Sequence, residues 1–116
     1  MNEVKNYQVA DFSAIPSQPC PCGETKRAFL DDPEQTATIH IVTISEKSRM
    51  HYHKKITEIY NVLEGNGILE IDHDKIKLKK GTFVLMKPGC RHRAIGNLTF
   101  INVPIPAFDI NDEWFD

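Results

Sequence analysis

The sequence predicts an all-β fold, a sandwich or barrel, on three observations. Short runs rich in β-branched residues follow one another from residue 37 to about 106, turn residues break them at close spacing, and no window carries apolar residues at i, i+3, i+4 and i+7. The chain has 116 residues, room for one domain that buries roughly 65% of its unfolded surface. Hydrophobic residues at 41% and charged residues at 26% argue against a disordered or membrane-embedded chain.

Residues 1–36 read as irregular, with Pro16, Pro19, Pro21 and the acidic turn Asp31-Asp32-Pro33-Glu34 allowing short strands at most. Cys20-Pro21-Cys22-Gly23 reads as a proline-rich bend with two incidental thiols, because no second cysteine pair exists to complete a zinc site. With Cys90 they make three cysteines, which fits a reducing compartment better than a disulfide scaffold. Thr38–Ile44 is the first clear strand. Glu58–Leu63 is the next, ended by Glu64-Gly65-Asn66-Gly67. Ile68–Ile71 and Lys75–Leu78 flank Asp72-His73-Asp74 as a hairpin. Lys79-Lys80-Gly81 leads into Thr82–Met86, and Lys87-Pro88-Gly89 into His92–Ile95 and Leu98–Val103. Pro104 and Pro106 remove ladder donors and bar Pro104–Asp109 from a central strand. The acidic, aromatic end Asn111–Asp116 either packs across the barrel or hangs free. The division is therefore an N-terminal segment 1–36, a barrel 37–108 and a tail 109–116, all within one domain.

A formal charge of −2 and a pI near 6.2 give no electrostatic reason to expect nucleic acid. No apolar run approaches spanning length, and the N-terminus lacks the apolar stretch of a signal peptide, so no membrane partner and a cytoplasmic location are expected.

The chemistry gathers around His51-Tyr52-His53. In a strand, residues i and i+2 share a face, so both imidazoles project together. Glu58 opens the next strand after Lys54-Lys55-Ile56-Thr57, a segment about long enough to return the chain beside them. His92, at the start of a later strand after the Pro88-Gly89 turn, is placed where it can supply a fourth ligand. Three imidazoles and a carboxylate suit Fe, Mn, Ni, Co or Zn as divalent ions and fit Ca²⁺ or Cu(I) poorly. A six-coordinate metal so held keeps two open positions, the mark of a site that does chemistry.

These residues resemble the cupin superfamily. Its first motif, G-x5-H-x-H-x4-E-x6-G, matches from His51 and His53 through Glu58 to Gly65, with Ser45 at the opening Gly. Its second, G-x5-P-x-G-x2-H-x3-N, falls on Gly81, Lys87, Gly89 and His92. There Lys87 stands for Pro beside Pro88, and Gly96 for Asn beside Asn97. The departures touch turns and leave all four metal positions filled. Fifteen residues between Gly65 and Gly81 are similar to the compact microbial cupins, and Pro106-Ala107-Phe108-Asp109 resembles the end of stand-alone bacterial ones. The resemblance implies a double-stranded β-helix, or jelly-roll, barrel with one divalent metal on His51, His53, Glu58 and His92. It also implies dioxygenases, isomerases, decarboxylases and lyases as precedents and homodimers sharing edge strands, for which residues 1–36 are a candidate donor.

Around the ligands, Tyr60 and Val62 share the face of Glu58 and are expected as pocket walls. Tyr60 can also donate a hydrogen bond or proton, and Glu58 can serve as a base, which makes these two the catalytic candidates. His40 interrupts an apolar strand and reads equally as lining the site or partly exposed. His73 is expected exposed, Arg49 in solvent, Arg91 and Arg93 pointing away from His92, and Met86 and Phe83 in the core. The expectation is a metal-dependent enzyme on a small, oxygen-bearing substrate. The alternative is a non-catalytic small-molecule-binding module, with a purely structural metal ranked last.

Overall fold

A computed structural model describes residues 5–20 and 23–115. Among the described residues there are seven strands: β1 (Gln18–Cys20), β2 (Gly23–Ala28), β3 (Ile39–Ile44), β4 (Thr57–Ile71), β5 (Asp74–Lys79), β6 (Phe83–Met86) and β7 (His92–Ile105). All pairings are antiparallel, in the order β1-β2-β3-β7-β4-β5, with β6 on the first part of β4. Among the described residues helical structure is limited to two 3-10 turns, Phe12–Ala14 and Ile110–Asp112. No described helix is long and apolar enough to cross a membrane.

The spine is the β4–β7 ribbon, paired from Thr57 with Ile105 to Ile71 with His92. Laid flat at about 3.3 Å per residue, the run from Glu58 to Ile71 would hold Glu58 and His92 about 40 Å apart. Instead Glu58 Oε1 lies 3.0 Å from His92 Nε2. The ribbon has coiled until its two ends meet, and side chains close the coil while the hydrogen-bonded sheet stays open. Bending is concentrated at its middle, where a bulge falls between Val62 and Glu64 and Gly65 takes a φ of 92°. There the strands approach so closely that a Cβ on Gly65 would collide with the Asn97 carbonyl, and one on Gly67 with that of Ile95.

This corrects the expected turn at Glu64–Gly67. The two glycines bend one 15-residue strand instead of ending it. The expected pair of strands at 92–95 and 98–103 is likewise the single strand β7, bent at Gly96 (φ 126°). It runs on through Pro104, which pairs with Glu58 and whose carbonyl accepts from Thr38 N, so the expected exclusion of that proline is corrected too. Proline lacks only the donor, and its acceptor still serves a ladder.

Inside the coil lie Val42, Ile44, Tyr60, Val62, Leu69, Leu78, Met86, Ala94, Leu98 and Phe100. Phe83, expected among them, is 70% exposed. On β6 the alternation turns Val84 and Met86 inward and Phe83 and Leu85 outward. Cys20 is disulfide-bonded, not the incidental thiol expected there; Cys22 lies outside the described residues, and Cys90 is free.

Candidate metal centre

His51 and His53 sit on the segment between β3 and β4, held by isolated bridges in place of the expected strand. His51 exchanges backbone hydrogen bonds with His92 (3.1 and 2.9 Å), and Tyr52 exchanges them with Trp114. Glu58 faces inward from the start of β4 and His92 from the start of β7, so the closing point of the coil is where the four side chains gather. One ligand-type atom from each lies within 4.8 Å of all the others. His53, Glu58 and His92 are buried and His51 partly so.

The imidazoles are oriented from behind. His51 Nδ1 donates to the Arg49 carbonyl (2.8 Å), His53 Nδ1 to the Asp112 carbonyl (2.7 Å) and His92 Nδ1 to the Cys90 carbonyl (3.0 Å). A carbonyl only accepts, so each Nδ1 carries its proton and the neutral ring presents an Nε2 lone pair to the cluster. The Nε2 atoms of His53 and His92 lie 3.1 and 3.0 Å from Glu58 Oε1. Short as they are, these approaches lack hydrogen-bond geometry, and all three atoms are buried without a partner. Three imidazoles and a carboxylate converging on one point suit a divalent cation in place of the protons they otherwise share, which is how the donor set fits a metal.

In the metal-free cluster the four groups are electrostatically coupled, with a proton favoured on His53 and a neutral ring on His51. Burial pushes the Glu58 carboxyl up, but the imidazoles of His53 and His92 outweigh it and hold it far below the carboxylate range. Burial, aided by repulsion from His92, lowers His51 to about 4, so that ring stays neutral and available as a ligand. For His53 burial acts downward and Glu58 prevails, raising it.

Two supports were not foreseen. Asn102 Nδ2 donates to Glu58 Oε2 (2.7 Å), leaving Oε1 for the cluster. Asp112, in the C-terminal 3-10 turn, accepts from the backbone N–H groups of Lys54, Lys55 and Ile56 (3.0, 2.9 and 3.1 Å) and from Trp114 Nε1, while its own carbonyl holds His53. The tail therefore packs across the barrel mouth. Asn102 carries a readable signal, a buried amide in an apolar strand on the same parity as His92. Nothing in the sequence marks Asp112.

A cavity of about 60 Å³ opens beside the cluster, walled by Tyr60, Phe100, Phe108 and Phe115, with His40, Arg27 and Glu113 among its polar groups. Tyr60 is a pocket wall as expected, whereas Val62 belongs to the core. Of the two readings left open for His40, lining the site holds: it is buried and borders the cavity, and burial and then Arg27 lower it to about 4. Arg49, exposed as expected, also lines the cavity, stacked on Phe115 at 3.8 Å. Arg93 pairs with Glu70 and Arg91 lies over Tyr52, both away from the cluster; His73 is exposed.

A family model described as a cupin domain matches residues 39–99. The crystal structure of a protein from Planctomyces limnophilus superposes with a TM-score of 0.87 at 36% identity, covering 94% of this chain and 96% of that one. Pac13, described as a unique nucleoside dehydratase and solved from Streptomyces, superposes at 0.81 with 16% identity over 95% and 90% of the chains. A predicted oxalate decarboxylase of Thermotoga maritima does so at 0.68 with 21% identity over 85% and 99%. The last two share the fold. An uncharacterized protein of Methanocaldococcus jannaschii is 34% identical over 67 residues, 56% of this chain, and the chain spans about half of that relative's length.

Proposed function

The chain belongs to the cupin domain family, and on that premise we propose that it binds one divalent transition metal through His51, His53, Glu58 and His92 and acts as a metal-dependent enzyme on a small, oxygen-bearing substrate. One observation carries the reading: Nδ1-protonated imidazoles aim their Nε2 lone pairs at one buried carboxylate oxygen, with no other partner for His53, His92 or Glu58 there. Iron, manganese, nickel, cobalt and zinc accept this donor set. When bound, such a metal supplies Lewis-acid polarisation of a substrate oxygen at its open positions.

The protein's own groups orient and exclude. Asn102 fixes the Glu58 carboxylate, Asp112 fixes the His53 ring, and Tyr60, Phe100, Phe108 and Phe115 give the cavity an aromatic wall. Burial raises the Tyr60 hydroxyl well above its ordinary pKa, so it holds its proton and serves as a donor, never as the base. Pockets for drug-sized ligands run to roughly 300–1,000 Å³; a cavity of about 60 Å³ supports a substrate of few heavy atoms. Neighbours of the same fold named for dehydratase and decarboxylase chemistry support an enzyme over a purely structural barrel.

The test is metal content by elemental mass spectrometry on untagged protein beside a His51→Ala/His53→Ala double variant. About one equivalent in the parent and almost none in the variant is the expected result. A parent that carries no metal and takes up none on reconstitution overturns the reading and leaves a metal-free binding barrel. A homodimer accompanies it: Phe83 and Leu85 on β6 and Ile105 on β7, either side of β4, are 70%, 60% and 44% exposed, apolar surface suited to a second copy. Light scattering that returns a monomer well above micromolar concentration would sink it.

A further inference from the structure

Six buried side-chain polar atoms lack a hydrogen-bond partner among the described residues: His53 Nε2, Glu58 Oε1, His92 Nε2, Thr25 Oγ1, Arg27 Nε and Asn102 Oδ1. The first three belong to the metal cluster. The other three belong to residues that line the same cavity. Buried polar groups are satisfied almost everywhere in a folded protein, so a set of orphans around one cavity marks where a polar guest belongs.

Strand register shows how they are arrayed. Arg27 on β2 pairs with His40 on β3, His40 with Asn102 on β7, and Asn102 with Tyr60 on β4. Cross-strand partners share a face, so the four side chains form one inward row that ends on the strand bearing Glu58. Thr25 stands two residues from Arg27 on the same face. Asn102 is pinned at one end by its bond to Glu58, which leaves Oδ1 free to accept from a guest. The Arg27 guanidinium lies 4.9 Å from the Phe108 ring centroid, which fixes its plane while Nε stays without an acceptor. No carboxylate is paired with it among the described salt bridges.

We propose that Arg27, with Thr25, forms a carboxylate-recognising subsite beside the metal cluster, which makes the substrate a small organic acid, with Asn102 Oδ1 left to accept from a hydroxyl or other donor on the same molecule. The inference rests on the function proposed above and names its substrate class. Charge points the same way: a divalent ion and Arg27 outweigh Glu58 and Glu113 together, so the loaded cavity is net positive and an anion completes it. Arginine offers the planar donor pair that a carboxylate matches.

The experiment uses full-length protein loaded with cobalt(II), whose visible absorption reports ligand binding. Malonate and its neutral analogue malonamide are titrated into the parent, Arg27→Gln and Arg27→Lys. The parent is expected to hold about one cobalt and to bind malonate at least about tenfold more tightly than malonamide. Arg27→Gln is expected to keep its cobalt and lose about tenfold or more in malonate affinity with little change for malonamide, and Arg27→Lys to fall between. If Arg27→Gln does not fold, the parent preference and its reduction in Arg27→Lys decide the matter. Full cobalt with no preference for malonate, or with a preference that survives loss of Arg27, overturns this inference alone. A parent that takes up no cobalt overturns the metal reading, and this inference with it.

Discussion

The two halves of β4 are one strand with two interiors. Before the bulge its inward residues are Glu58, Tyr60 and Val62; after it, Gly67, Leu69 and Ile71 face inward, because the extra residue at the bulge shifts the parity by one. The first half faces imidazoles, an amide and a guanidinium, and the second faces Leu78 and Ala94. Leu69, fully buried, packs by shape alone. Glu58, nearly as buried, depends on partners that must be oriented atom by atom. One backbone thus supports an apolar half and a half that carries the proposed metal site, and four measurements pull these apart.

The largest effect is expected in the apolar half. Leu69→Ala removes a fully buried side chain and should cost about 3–4 kcal/mol in denaturant unfolding, with metal stoichiometry in the folded fraction unchanged. Loss of metal at the same protein concentration would show that the halves are not separable. Next comes the chemical half from behind: Asp112→Ala strips the acceptor from three backbone N–H groups and should cost about 2 kcal/mol. It should also weaken metal binding about 10- to 100-fold, since the turn that holds His53 is released; competition with a chelator measures this.

A third, smaller effect is read by pH. His40 is lowered from 6.5 to about 4 by burial and by Arg27, so the unfolded chain takes up a proton on this residue before the folded one does. Its contribution is full above pH 6.5 and is lost as pH falls toward 4. In metal-free protein the parent should therefore lose about 1–3 kcal/mol more than His40→Gln across that window. His53, raised and so opposite in sign, is common to both proteins and drops out of the difference. Equal slopes would place the polar half in freer contact with solvent than its burial implies. The smallest effect is outside both halves: Phe83→Ser should change monomer stability by no more than about 0.5 kcal/mol while shifting the sedimentation equilibrium toward monomer.

The legible part of the molecule follows from local chemistry. Thr38 to Ile44 and Asp72 to Asp74 could be read because β-branched runs and a tight turn act over a few residues. His51, His53, Glu58 and His92 could be read because two spaced motifs carry them, and the fold brings the four together. Gly65 misled because a glycine that ends a strand and one that lets two strands cross closely look alike until the partner, Asn97, is known. Phe83 misled because hydrophobicity does not tell which side of a sheet has a core. Asp112 and Arg27 were invisible as site residues because their roles exist only through contacts with segments distant in sequence, 59 positions in the case of His53 and Asp112.

The meeting of Glu58 and His92 at 3.0 Å has a consequence for time as well as for shape. A coiled ribbon held at its two ends has a clasp, which the backbone reinforces through the His51–His92 bridge, the Gly89 N–H donated to the His53 carbonyl and the pairing of Glu58 with Met86. If an ion is held there by His51, His53, Glu58 and His92, it would tie the two ends together, and its loss would ease their parting. How long the closed barrel survives heat or protease would then be set by the residence time of the ion, not by the depth of the apolar half. Two preparations with the same stability at equilibrium, one loaded with a slowly exchanging ion and one with a fast one, would age at different rates.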